Sequence, residues 1–247
     1  MANEIRAFIG KGQIYLKRLD KADGYRPIGE ASAFELSIET DEKTLPSNTT
    51  RGGGVAATAY SVSSMGISIT GHSFTDENLA MILYGDATAS LAVEVTDEKV
   101  TAHKGTFVPL SKIPDLTEAV TVKAVGGTET YTDGTDYTLS PAGLKITANS
   151  SIDDEDELLV SYKTKPQSAI EILTNSGYEY GLFFEGFNDA DNGLEFNVEI
   201  YRTKFSPTSG LGFIQDDFAE SPLEGQAMVD ATKSGAGVSK YAKISRV

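Results

Sequence analysis

The chain contains no cysteine and no tryptophan, and only two histidines among its 247 residues. Without cysteine there is no disulfide framework, no thiolate metal site and no cysteine nucleophile. The histidines, His72 and His103, stand far apart in sequence and neither belongs to an HExxH motif. No GxSxG nucleophile elbow occurs either. Clefts that bind sugars lean on tryptophan stacking, which this chain lacks, and its acidic residues are too many for one catalytic carboxylate pair to stand out. Cations are scarce as well: 36 acidic residues against 21 basic ones leave a net charge of −15. Such a chain repels the phosphates of nucleic acid. No apolar run reaches the length of a membrane-spanning helix. The start, MANEIRAFIGKG, has no continuous apolar stretch of the kind a signal peptide needs, so cytoplasmic synthesis is expected. The sequons at Asn48 and Asn149 then carry no glycan expectation. The reading is of a non-enzyme without cofactor or metal and without membrane insertion.

What is present is alternation. In GQIYLKRLD (12–20), Ile14 and Leu16 alternate with polar neighbours. In ASAFELSIETD (31–41), Phe34, Leu36 and Ile38 fall on one face, with Glu35, Ser37 and Glu39 on the other. SMGISITGHSF (64–74) sets Met65, Ile67 and Ile69 against Ser64, Ser68 and Thr70. GLEFNVEIYRTKF (193–205) sets Phe196, Val198 and Ile200 against Glu195, Asn197 and Glu199. A period of two predicts half-buried strands. GYEYGLFFEGF (177–187), PLEGQAMVD (222–230) and VSKYAKISRV (238–247) supply further strand candidates. One helix is predicted over TDENLAMILYG (75–85). Thr75 is its N-cap, Asp76 and Glu77 favour its dipole, Leu79, Ile82 and Leu83 form its apolar stripe, and Gly85 is its stop.

The texture changes near Ser111. From there to Pro166 short strands alternate with turns at Gly126-Gly127, Asp133-Gly134 and Pro141–Gly143. This predicts a small all-β module, 111–166, inserted into a discontinuous domain made of 1–110 and 167–247. The fold class is therefore mainly β: a β-sandwich or partial barrel with one flanking helix and an inserted β module.

Three stretches invite a ligand. TLPSNTTRGGG (44–54) is rich in glycine, but a phosphate-binding loop needs a following Lys-Ser/Thr and a helix, and here Val-Ala-Ala leads into a strand. It reads as a mobile connection. NDADNG (188–193) fails the calcium-loop pattern, with Ala190 where a ligand is required, and reads as a hairpin turn. The run Asp153–Glu157 reads as a solvated acidic loop. The polar second faces of the long strands have two readings: contact with bulk water, or the lining of a wet channel in an oligomer.

The order of elements resembles the major tail tube proteins of long-tailed, siphovirus-like bacteriophages. The resemblance rests on GKGQIYLKRLDKADGYRPIGEASAFELSIETDEK, on TLPSNTTRGGG leading into a strand and the helix TDENLAMILYG, on YEYGLFFEGFNDADNGLEFNVEIYRTKFSPTSGLGFI, and on LEGQAMVDATKSGAGVSKYAKISRV. It spans 1–110 and 167–247; segment 111–166 is outside the family's minimal fold. The resemblance implies a structural subunit that assembles itself into stacked hexameric rings. The resulting hollow tube surrounds a tape measure protein and later conducts double-stranded DNA without specific binding. It also implies tail terminator and tail tip proteins as partners, and a place in the virion tail after assembly in the bacterial cytoplasm. Glu35, Ser37, Glu39, Ser64, Ser68, Thr70, Glu195, Asn197 and Glu199 would then face the lumen. Thr44, Pro46, Asn48, Arg51, Gly52, Gly53 and Gly54 would form a loop that reaches the next ring. A secretion-system-like tube or a virion decoration protein shares this texture, as does a carbohydrate-binding β domain.

Overall fold

The computed structural model describes residues 7–49, 51–127 and 129–247. The protein is mainly β. The chain runs through β1 (Gly10–Arg18), β2 (Arg26–Pro27), β3 (Ala31–Pro46), β4 (Val55–Gly71), helix α1 (Asp76–Ile82) and β5 (Asp86–Ser90). It continues with β6 (Glu94–Thr101), β7 (Phe107–Pro109), β8 (Thr121–Ala124), β9 (Thr130–Tyr131), β10 (Tyr137–Ser140), β11 (Gly143–Ile146) and β12 (Glu157–Lys163). The last elements are β13 (Gln167–Glu171), β14 (Glu179–Asn188), β15 (Leu194–Phe205), β16 (Ser221–Ala227) and β17 (Ala242–Arg246). Two compact units result: residues 1–87 with 170–247, and residues 88–169. β5 and β13 form a two-stranded ribbon.

The first unit is one antiparallel sheet in the order β2-β1-β14-β15-β16-β4-β3, with β17 also paired to β15. Register carries the alternation across it. Ile14 lies opposite Phe184, Phe184 opposite Val198, and Phe34 opposite Ile69. Every apolar set therefore falls on the same side of the sheet. The sheet bends so that this side closes on itself: the Phe34 ring sits 5.3 Å from Phe184, which sits 5.6 Å from Phe196. The bend uses a register shift in the β14–β15 ladder between Tyr180 and Leu182, the kind of irregularity that sharpens strand curvature. Beyond it, β15 leaves β17 and pairs with β16 through Thr203–Phe205. Ile14, Leu16, Ile69, Leu182, Ile200 and Leu223 form the buried centre. Gly12 and Gly186 oppose one another where β1 meets β14. A methyl at Gly186 would run into the Phe184 and Phe196 rings, and one at Gly12 into the Glu185 carbonyl. Glycine at 186 leaves room for these rings, and glycine at 12 for the close approach of the two backbones.

Helix α1 is shorter than its predicted span. Thr75 caps it as expected, its hydroxyl accepting from the Asn78 N–H at 3.3 Å. The face turned inward, however, holds Asn78, Met81 and Ile82, with Leu79 and Leu83 only partly buried. Asn78 fits because its amide is fully used. Nδ2 donates to the Ile28 and Ser73 carbonyls at 2.8 Å each, and Oδ1 accepts from Arg26 at 2.8 Å. The stop lies at Tyr84, whose φ is 51°, and not at Gly85. Gly85 is glycine for space, since a Cβ there would meet the Glu171 carbonyl.

The second unit packs β6-β12-β8-β9 and β10-β11-β7 around its own core of Val122, Leu144, Ile146, Leu158, Val160 and Tyr162. Its limits differ from the expected 111–166. β6 pairs with β12, and β7 with β11, so both belong to the module. Ser111, where the texture changes, is tied back to β6: its N–H and hydroxyl donate to Glu98 at 2.8 and 3.0 Å. The apparent boundary is a loop inside the unit. Asp136 pins another of its loops. Its carboxylate accepts from the Thr132 N–H at 2.9 Å and from the N–H and hydroxyl of Ser151 at 3.0 and 2.8 Å. These donors hold its pKa below the usual carboxylate range.

Two outcomes follow from this unit. Excising Thr88–Ala169 and joining the ends with a flexible linker should leave the first unit folded. Excising 112–165 should not, because it strands β6 and β7 with Ala102 and Val108 uncovered; urea unfolding and far-ultraviolet circular dichroism compare the two. Because the folded-state pKa of Asp136 is depressed, its contribution is complete above the unfolded value of about 3.9 and is lost as pH falls through the folded value. Unfolding of the second unit, followed by hydrogen exchange, should therefore ease below about pH 4, and Asp136→Asn should flatten that dependence. An equally steep profile in the variant would assign the acid sensitivity to other carboxylates.

Candidate assembly surfaces

The hairpin β3–β4 is the longest ladder in the chain, pairing Ala31 with Gly71 and Pro46 with Val55. Its base belongs to the core, through Phe34, Leu36, Ile67 and Ile69. From Ser37 to Pro46 on β3, and from Val55 to Ser63 on β4, every residue is open to solvent. The outer hairpin is thus a two-stranded arm, a structure of marginal stability alone in water. One face of the arm continues the core face: Ile38 opposes Met65, Thr40 opposes Val62, and Glu42 opposes Tyr60. Ile38 is 66% exposed, Tyr60 68% and Val62 64%, which makes an apolar stripe that its own unit leaves uncovered.

The stretch 44–54 is therefore less loop than expected. Thr44 and Pro46 lie on β3, and β4 starts at Val55. Asn48, Arg51, Gly52, Gly53 and Gly54 lie in the turn, which the Ser47 N–H closes on the Gly54 carbonyl at 2.7 Å. Thr50 lies outside the described residues. The glycines have φ values of 112°, 77° and 130°, and added methyls would meet open space. Backbone conformation, not crowding, calls for glycine at these positions.

The nine residues expected on one polar surface divide into two groups. Glu35, Ser37 and Glu39 share a face with Ser64, Ser68 and Thr70: Glu35 opposes Ser68 and Glu39 opposes Ser64. The Ser64 hydroxyl donates to Glu39 at 2.8 Å. Glu224 and Gln226 of β16 extend this face, opposite Ser68 and Gly66. Glu195, Asn197 and Glu199 lie on β15, opposite Phe187, Glu185 and Phe183. Because the apolar sides of the two walls face each other, their polar sides turn away from one another. The β3–β4–β16 face carries acids and hydroxyls. The β1–β14–β15 face is mixed: Tyr15 and Phe183 stand beside Glu185 and Glu199, and the Tyr15 hydroxyl donates to Glu185 at 3.0 Å. The motif GLFFEGF contains the signal for this, since alternation from Leu182 and Phe184 inward places Phe183 and Phe187 outward.

The other stretches that invited a ligand serve the fold. In NDADNG, Asn188 accepts from the Ile9 and Ala190 N–H groups at 2.8 and 3.3 Å, and Asp189 pairs with Lys11 at 2.7 Å. In the acidic run, Asp154 accepts from the Lys104 N–H at 2.9 Å. His72 meets the Ala219 carbonyl at 3.2 Å, while His103 is exposed beside Asp154. Among the described residues no three His, Asp or Glu side chains converge as metal ligands, and no helix is long and apolar enough to cross a membrane.

Because Ile38, Tyr60 and Val62 are about two-thirds exposed, changing all three to serine should leave thermal stability nearly unaltered, within about 0.5 kcal/mol per site. A large loss of stability in the isolated chain would show that the arm is part of its folding core.

No curated protein matches the chain. A family model described as "Protein of unknown function UCP028589" matches residues 7–245, nearly its whole length, and the chain belongs to that family.

Proposed function

We propose that this protein is a structural subunit that assembles with copies of itself into a hollow tube of the phage tail type, with stacked rings as its building blocks. The observation that carries this reading is the β3–β4 hairpin, which bears an apolar stripe on one side and an acid-and-hydroxyl surface on the other. The stripe calls for cover, which neighbouring copies would supply by continuing the sheet core. The opposite surface suits a lumen. Glu35, Glu39 and Glu224 would repel the phosphates of passing DNA and keep it from sticking. The mixed face of Glu195, Asn197 and Glu199, with its exposed aromatics, fits that task less well. Lumen duty therefore goes to Glu35, Ser37, Glu39, Ser64, Ser68 and Thr70. The turn from Ser47 to Gly54 would touch the adjacent ring. A tape measure protein inside the tube, and terminator and tip proteins at its ends, are the partners this reading requires.

Electron microscopy of the purified protein over a range of concentrations tests it. Rings or hollow tubes are expected; a persistent monomer overturns the reading. Glu35→Lys with Glu39→Lys should still assemble but slow DNA passage through the tube. Unchanged passage would remove these side chains from the lumen.

A further inference from the structure

Between β15 and β16 the chain runs through PTSGLGFIQDDFAE (207–220). Both ends of this loop are held. The Thr208 N–H donates to the Ile82 carbonyl at 2.8 Å, and Ala219 meets His72 at 3.2 Å. Leu211 packs against the core. Between these anchors Phe213 is 87% exposed, Ile214 99% and Phe218 93%, values close to those of an unfolded chain. Asp216, Asp217 and Glu220 accompany them, and the loop carries no cation. An anchored loop that presents two phenylalanines and an isoleucine to water has the character of an interface element whose ordering cost has been reduced in advance.

The same unit holds a surface of opposite character. Residues 231–247 contain Lys233, Lys240, Lys243 and Arg246 and no acid, within a chain of net charge −15. β17 pairs with β15 alone among the described strands. The Tyr201 N–H meets the Tyr241 carbonyl, and the Val247 N–H meets Glu195. Antiparallel alternation then leaves the backbone groups of Ala242, Ile244 and Arg246 pointing to the open edge. Ile244 and Val247 are exposed beside them. Two acids of β15 lie in register with it: Glu199 opposite Lys243, and Glu195 opposite Val247. Lys233 stacks 4.2 Å from the Tyr201 ring, which leaves Lys240, Lys243 and Arg246 as the outward cations. Within one copy the acidic loop and the basic edge do not cover each other, since the apolar side chains of both remain exposed.

We infer that the 207–220 loop of one copy docks on the β17 edge of a second copy, head to tail. Phe213, Ile214 and Phe218 would cover Ile244 and Val247, and Asp216 and Asp217 would face Lys243 and Arg246. A contact between two different patches of the same chain repeats around a ring or along a filament. The inference deepens the self-assembly reading and rests on it: it names the contact that joins neighbouring subunits.

Two full-length variants test it. Asp216→Lys with Asp217→Lys makes both patches basic; Lys243→Glu with Arg246→Glu makes both acidic. Native mass spectrometry and electron microscopy would follow assembly of each alone and of an equimolar mixture. Each variant alone should associate at least tenfold more weakly than the unaltered chain. The mixture should regain assembly with alternating subunits, because every loop then meets an edge of opposite sign. If the variants associate normally alone, or if folded variants stay apart when mixed, the inference is overturned. Phe213→Ser with Ile214→Ser removes no buried side chain and decides the matter if the β17 variant misfolds: normal assembly of that loop variant overturns the inference. An unaltered chain that stays monomeric removes the self-assembly reading and this contact together. Tubes from the unaltered chain beside equally good tubes from the variants remove only this contact.

Discussion

The first unit depends on one constraint: a single antiparallel sheet must bury one face, and apart from one short helix it has only itself to bury it against. The contact of Phe34, on the end strand β3, with Phe184, four places away in the strand order on β14, is where that closure happens. Other features follow from it. β15 changes partners at the bend because a sheet cannot fold over flat, and an irregular ladder gives the local twist. Gly186 is small because the Phe184 and Phe196 rings need the space above it, and Gly12 because the Glu185 carbonyl lies against it. The helix enters as a plug, with Met81 and Ile82 turned into the core and Asn78 holding the chain on either side of it.

Closure of this kind leaves remainders. A barrel with every strand paired has no edges, but here β3 and β17 each have one unpaired side among the described strands. The hairpin also runs past the core that supports it. Long, flat, partly apolar edges are aggregation hazards that monomeric proteins blunt with charge, proline or shortness. The arm carries such charges on β3, at Glu39, Asp41, Glu42 and Lys43, yet still exposes Ile38, Tyr60 and Val62 along one face. That pattern makes sense when the edges are meant to be met by further copies in a defined geometry.

What was legible in the sequence were the elements whose two faces differ. Ile14 and Leu16, Phe34 and Leu36, Ile67 and Ile69, Val198 and Ile200 all point to the core as alternation predicts. The outer arm is only partly legible as strand: Thr44–Pro46 reads as loop because both faces of the arm meet solvent and no burial imposes a period on it. The module boundary was misplaced because β6 carries mostly charged and polar residues. Its role shows only in its pairing with β12, about sixty residues away in the chain. The helix stop fell at Tyr84 because the crowding that demands Gly85 comes from Glu171, a neighbour in space only. The largest gap concerned the polar faces. Each shows in the alternation of its own strand, yet whether two faces look the same way depends on how the sheet closes, and no local pattern carries that.

Self-association of a chain with net charge −15 has an electrostatic condition of its own. Copies repel at long range, and at physiological ionic strength that repulsion is damped over about 8 Å. Attraction must therefore come from short-range contacts where opposite charges and apolar groups meet. Uniformly scattered charge would not provide this. The chain instead places its charge unevenly: Glu35, Glu39 and Glu224 share the β3–β4–β16 face, Asp216, Asp217 and Glu220 lie in the 207–220 loop, and residues 231–247 carry four cations and no acid. In the proposed tube the acidic face would set the character of the enclosed space. The acidic loop and the basic edge, kept apart within one copy, would on the proposed contact set the direction in which the next copy is added. The same imbalance that discourages nucleic-acid binding thus leaves a directional association available, provided the few cations are placed where the neighbour arrives.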